Sequence, residues 1–173
     1  MTDKPEIRDG EHLLDFDPAE RTEAGVAFIG HIRSPWTERA ECPRNISTAR
    51  EDGRGARIVL REGYAEGLAG LEAGRHLMVL YWMDRARRDL IVQNPRHTYA
   101  PRGTFALRSP NRPNPVAMSA VTIRSIDLAS GEIEIDAIDC LDGTPVVDIK
   151  PWLPGIDVPA GVSVREESDS ARS

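Results

Sequence analysis

The chain has 173 residues, 40% hydrophobic and 29% charged, enough for one packed core and unlike a disordered or fibrous polypeptide. No apolar run approaches the ~20 residues that span a bilayer, and the acidic start MTDKPEIRDGEHLLDFDPAE has neither the basic nor the apolar region of a secretory signal, so a cytoplasmic protein with no membrane partner is expected. Cys42 and Cys140 lack knuckle spacing, which excludes a disulfide framework and a zinc ribbon.

The net charge of −6 is unevenly distributed. Residues 1–25 carry eight acids against Lys4, Arg8 and Arg21, whereas residues 33–112 carry fifteen arginines against nine acids. Only Lys4 and Lys150 are lysines among the 22 basic residues. Guanidinium forks match phosphate and stack on bases, so this bias permits an RNA partner. An ordinary solvated surface rich in arginine fits equally well.

In chain order, residues 1–24 read as a polar extension with at most a turn at Leu13 and Leu14. VAFIGHI, from Val26 to Ile32, alternates and is rich in β-formers, and Pro35 follows it. Ser34 to Gly55 reads as a long loop interrupted by proline. ARIVL, Ala56 to Leu60, is a second strand, and Tyr64 to Ala73 a helical turn. RHLMVLYWM, Arg75 to Met83, is the most apolar stretch and the expected central strand. DLIVQ and GTFALRS predict two more strands, split by Asn94-Pro95-Arg96. VAMSAVTIRSIDL and EIEIDAID predict a hairpin about Ala129-Ser130-Gly131. VVDIKPWL closes a body spanning residues 25–156, and the acidic tail 157–173 is expected to be disordered. Seven or eight short strands with short helical turns predict an all-β fold, a small barrel.

Several chemistries lack their motifs: there is no GxGxxG, Walker loop, HExxH or GxSxG. His12, His31, His76 and His97 are isolated, so no metal site is expected, and His76 reads as a hydrogen-bonded core residue. Two segments stand out. Leu107 to Pro115 (LRSPNRPNP) has three prolines that stiffen a loop carrying Arg108, Arg112, Asn111 and Asn114, a frame suited to a carboxylate, phosphate or base edge. The alternative is a loop whose Arg and Asn side chains cap its own backbone. Asp139 to Trp152 (DCLDGTPVVDIKPW) opens with a tight turn at Asp142-Gly143. Asp148 and Lys150 then share one strand face with Val147 and Ile149 on the other, giving either an acid–base pair or an exposed ion pair worth about 0–1 kcal/mol.

Gly30-His31-Ile32-Arg33-Ser34-Pro35, Cys42-Pro43-Arg44-Asn45, Arg108 to Pro115, and Asp142 to Trp152 occur in the order seen in the TrmO/YaeB (TsaA-like) family. Over roughly residues 25–156 the chain resembles that family. The resemblance implies a methyltransferase dependent on S-adenosyl-L-methionine (SAM), built on a β-barrel rather than a Rossmann sheet. It implies methylation of N6 of threonylcarbamoyladenosine beside the tRNA anticodon, and a homodimer with SAM in a barrel-side pocket. Carried over residue by residue, that pocket draws on Pro43, Arg44, Asn45, Arg108, Met118 and Asp139, Cys140, Leu141, Asp142, Gly143 and Thr144. A further contact falls at Asp84 and Arg85, where other members tend to have a His-Gln-like pair. Trp152 stands where the family usually has tyrosine, and longer members carry an additional C-terminal domain.

On this resemblance, Asp148 is the expected base or orienting group for N6, and Lys150 sets its charge state or binds the threonyl carboxylate. Arg112 and Asn114 are expected at the modified nucleotide, and Arg44 and Arg108 at the cofactor carboxylate or RNA backbone. Two other readings stay open: SAM-dependent methylation of another RNA or a small molecule, and a SAM-binding module without turnover.

Overall fold

The computed structural model describes residues 6–95 and 100–162. Along the chain run β1 (His12–Leu13), β2 (Gly30–Arg33), α1 (Ile46–Asp52), β3 (Ala56–Leu60), β4 (His76–Trp82), β5 (Leu90–Gln93), β6 (Arg102–Gly103), β7 (Val116–Asp127), β8 (Glu132–Ile135), β9 (Pro145–Pro151) and α2 (Pro154–Asp157). Six strands close a barrel in the order β2-β3-β8-β7-β4-β9, and β1-β5-β6 form a separate three-stranded sheet. The all-β barrel is as expected, with six strands in the closed wall rather than seven or eight.

The period of two explains the wall. Leu77, Val79 and Tyr81 of β4, Val121 and Ile123 of β7, Ile133 and Ile135 of β8, and Ile58, Ile32 and Val146 are all at most 3% exposed and fill the interior. Burying each large aliphatic contributes about 1.5–3 kcal/mol. Closure depends on a glycine. β2 meets β9 only at Gly30↔Val146 and His31↔Pro145, and a Cβ at Gly30 would collide with the Val59 carbonyl of β3.

One bulge changes the expected faces of β9. Leu80 pairs with Asp148, but the next residue, Tyr81, pairs with Val146, leaving Val147 as the extra residue. Asp148 and Lys150 therefore do share the outer face, opposite Leu80 and Met78. Ile149 packs toward the core as expected, whereas Val146, not Val147, is the fully buried valine.

Other departures have local causes. The first barrel strand starts at Gly30 rather than Val26, which is 55% exposed. The expected loop from Ser34 to Gly55 contains α1, because Asn45 accepts the Thr48 N–H as an N-cap and Gly53, at φ 76°, ends the helix. GTFALRS is not a strand: Thr104–Ala106 form a 3₁₀ turn, and only Arg102 and Gly103 pair with β5. His76 lies exposed on the outer face, with Nδ1 3.1 Å from Thr122 Oγ1, rather than in the core. His97 and residues 163–173 of the tail lie outside the described residues.

The N-terminal segment is more than a turn. His12 and Leu13 pair with Val92 and Leu90. The Glu11 side chain, 1% exposed, anchors the segment by accepting the N–H groups of Arg8 (2.9 Å) and Asn94 (3.2 Å) and the Arg8 guanidinium (2.9 Å). Burial pushes the Glu11 carboxyl up, but these donors together hold it below the ordinary glutamate value. Its stabilising contribution is thus present above the unfolded pKa and lost as pH falls through the lower folded one.

Candidate functional site

β7 has one half without a strand partner on one edge. β4 pairs with it along Val116 to Thr122, while β8 joins only from Ile123 onward. Unpaired edge carbonyls need donors, and two arginines supply them. Arg108 Nη2 donates to the Met118 carbonyl (2.7 Å), and Arg50 Nη2 donates to the Ala120 carbonyl while its Nε holds Asp136 (2.8 Å). Asp136 completes the edge by accepting the Thr122 N–H (2.7 Å).

These contacts bring two distant segments together. Arg50 belongs to α1, which starts directly after Pro43-Arg44-Asn45, and Arg108 opens the proline loop. Their anchor points are two residues apart on one strand, about 7 Å. Pro43 is half-buried, Arg44 and Asn45 are exposed, and the Met118 side chain is 41% exposed. A third segment arrives from the barrel mouth. The Tyr81 hydroxyl donates to Asp139 Oδ1 (2.9 Å) and lies 3.0 Å from Ser119 Oγ, which donates to the same carboxylate oxygen (3.3 Å).

Tyr81 and Ser119 are 3% and 6% exposed, so the half-buried Asp139 is held by two nearly water-free hydroxyls. Burial, and then the Asp139 charge, push the Tyr81 phenol far above its ordinary value. The same two causes, in the same order, push the Cys42 thiol up to about 11, so it remains protonated at neutral pH.

The turn after Asp139 is rigid. Gly143 has φ 80°, and Thr144 closes the turn by donating Oγ1 to the Leu141 carbonyl (2.7 Å). Asp142 accepts the Ser34 N–H (3.0 Å) and pairs with Arg33 (3.2 Å), while its own N–H donates to the Trp36 carbonyl (2.7 Å). Trp36, 3% exposed, donates Nε1 to the Ile138 carbonyl (2.9 Å). Cys140 is fully buried and packs in the barrel core.

The proline loop behaves partly as a self-capped frame. Arg112, expected at the nucleotide, donates to the carbonyls of Ser109 (2.9 Å), Thr104 (3.3 Å) and Leu107, committing its guanidinium to loop shape. Asn111 accepts the Arg87 N–H (3.1 Å), and Arg88 Nε donates to the Pro113 carbonyl (2.6 Å). Asn114 is exposed at the loop's end. Asp84 and Arg85 lie exposed in the turn after β4, next to Met83, whose N–H donates to Pro115 (2.9 Å).

Asp148 and Lys150 form an ion pair of 2.6 Å on the outer sheet face, with side chains 42% and 64% exposed. Leu80 lies between Asp148 and Met118 in the cross-strand row, so the pair sits two strand spacings, about 10 Å, from the β7 edge. Among the described residues no cluster of His, Cys, Asp or Glu could hold a metal ion, and no helix is long and apolar enough to cross a membrane.

The sequence reading missed Tyr81, Ser119, Arg50, Arg88 and Trp36. Ser119 was detectable as the polar break in the inward register Ala117, Ser119, Val121, Ile123. The arginines carry no such pattern, because Arg50 serves the edge left open where β8 ends and Arg88 serves the Pro113 carbonyl of the proline loop.

Comparisons with known proteins agree with one another. Residues 31–158 match the tRNA-methyltransferase O N-terminal domain family. The chain is 38% identical over 132 residues to the probable S-adenosyl-L-methionine-binding protein VirR of Rhizobium radiobacter, covering 76% of this chain and 73% of that protein. It is 34% identical over 137 residues to the tRNA (adenine(37)-N6)-methyltransferase of Escherichia coli K12, covering 73% of this chain and 56% of the enzyme. The crystal structure of TrmO from Pseudomonas aeruginosa superposes with a TM-score of 0.63 at 29% identity, over 82% of this chain and 62% of that one.

Proposed function

The chain belongs to the tRNA-methyltransferase O N-terminal domain family, and on that footing we propose that it is a SAM-dependent methyltransferase acting on N6 of a tRNA adenosine, one bearing a threonylcarbamoyl group. The observation that carries the proposal is the convergence of Arg108, of Arg50 from the helix that follows Pro43-Arg44-Asn45, and of Asp139 on three successive residues of β7. SAM combines a carboxylate, an ammonium, a sulfonium and an apolar adenine edge. The exposed Arg44 and Arg108 suit the carboxylate, Asp139 suits the cationic groups, and Met118 suits the adenine or methyl.

SAM, when bound, supplies a methyl group activated by its sulfonium. The protein's part is positioning, which can remove about 7–11 kcal/mol of barrier, and handling the N6 proton. N6 of a carbamoylated adenosine has a delocalised lone pair, so its proton must leave before or during attack. Asp148 Oδ2, released from Lys150, takes that proton, and Lys150 then faces the threonyl carboxylate. Asn114 contacts the nucleotide, while Arg112 acts by keeping the loop in shape. Two copies of the chain associate, leaving the outer face that carries Asp148, Lys150 and Met118 open to substrate, and the protein works in the cytoplasm.

The test is methyl transfer from labelled SAM to total tRNA from a strain lacking this gene, followed by nucleoside mass spectrometry. Label in N6-methyl-threonylcarbamoyladenosine is the expected result. The rival is a SAM-binding module without turnover, in keeping with how the Rhizobium relative is named. It requires SAM binding with no label in any tRNA.

A further inference from the structure

Phe105 is 78% exposed, more than any other aromatic side chain among the described residues. The turn that presents it is stiff. Thr104, at 0% exposure, donates Oγ1 to the Leu90 carbonyl (2.9 Å) and accepts Gln93 Nε2 (2.8 Å). Leu107 N–H closes the turn on the Thr104 carbonyl (3.1 Å), to which Arg112 also donates. A phenyl ring is thus held in water by a rigid support, where it gains nothing from packing.

Its surroundings select the ligand. From Leu90 to Ile126 the chain has five arginines and no acidic residue. Arg102 and Arg108, three residues to either side of the ring, are exposed. Arg108 also reaches the Met118 carbonyl at the candidate site. An apolar ring flanked on both sides by exposed arginines complements a polyanion with exposed π-faces, which describes single-stranded RNA.

We propose that Phe105 is a stacking platform for an unpaired base of the RNA substrate, with Arg102 contacting an adjacent phosphate. The inference rests on the tRNA reading above and adds where the RNA is gripped. Stacking tolerates any base, so Phe105 fixes the loop's position while the acceptor is chosen elsewhere.

The probe is a fluorescent anticodon stem-loop RNA titrated at several stated salt concentrations into the full-length protein. Phe105→Ala is expected to weaken binding about 5- to 150-fold, equivalent to the ~1–3 kcal/mol of one stacked base, and Phe105→Tyr to stay within about twofold. The salt slope should be unchanged in Phe105→Ala but shallower by about 0.7 in Arg102→Ala. SAM affinity and the sedimentation mass should match wild type. Unchanged RNA binding in Phe105→Ala overturns the inference alone. So does an altered oligomeric mass, which would mark the ring as a protein contact. Absence of RNA binding by the wild type overturns the tRNA reading, and the inference with it.

Discussion

Asp148→Asn is expected to lower the rate of methyl transfer about 10²- to 10⁴-fold, the usual contribution of a positioned general base, while SAM affinity stays within about twofold. The amide keeps the size of the carboxylate and can still accept the Ile149 N–H that Asp148 Oδ1 now holds at 2.9 Å. What it loses is the ability to take a proton and the ion pair with Lys150. That pair is exposed on both sides, so its loss alone costs the fold about 0–1 kcal/mol. Thermal stability should therefore barely change. Stopped turnover with intact folding and cofactor binding would assign Asp148 to the chemistry. Turnover like wild type would remove it, leaving Asp148 and Lys150 as surface residues of β9.

Trp36→Ala should have the largest effect on stability. The side chain is 3% exposed, donates to the Ile138 carbonyl, and lies under the Arg54 guanidinium at 4.1 Å. Truncating a buried aromatic costs about 3–5 kcal/mol. At about 2–4 °C per kcal/mol for a chain of this size, the midpoint should fall about 6–20 °C. Function should suffer too, because Trp36 ties the segment after β2 to the turn carrying Asp139 and Asp142. SAM affinity is expected to drop at least about tenfold even well below the midpoint. Calorimetry of folding and of SAM binding on the same sample checks both. A midpoint within about 2 °C of wild type would contradict this role for Trp36.

The barrel was legible wherever a strand is half-buried on its own terms. β3, β4 and the β7–β8 hairpin alternate buried and more exposed positions, and Asp127 and Gly131 at the hairpin turn behave as such residues do: Asp127 Oδ1 accepts the Ala129 N–H (2.9 Å), and Gly131 takes φ 71°. Legibility failed where tertiary context decides. GTFALRS has strand composition, yet Thr104 is drawn inward by Leu90 and Gln93, and the backbone turns around it. The polar N-terminal segment gained a strand because Glu11 found donors on Asn94, a partner 83 positions away. At the site, the proline-framed loop and the Asp-Gly turn were recognisable as rigid. That they meet depends on β8 stopping at Ile135, which leaves β7 carbonyls for Arg50 and Arg108.

Arg112 shows the limit of reading a side chain by type. Its fork suits phosphate, but two carbonyls of its own loop and that of Thr104 surround it, and forming those bonds fixes the loop. Asn45 is similar, an exposed amide whose oxygen caps α1 through the Thr48 N–H (2.9 Å). Both residues contribute by holding a frame. Arg44, Arg108, Met118 and Asp139 remain as the proposed ligand contacts.

Hydrogen–deuterium exchange of the full-length protein, with and without SAM, addresses the cofactor's position directly. Protection confined to segments 42–50, 107–120 and 139–144 is the predicted result, with the hollow formed by Arg75, His76 and Trp152 unaffected. Protection at that hollow instead, or on only one of the three segments, would contradict a SAM site assembled along the open edge of β7.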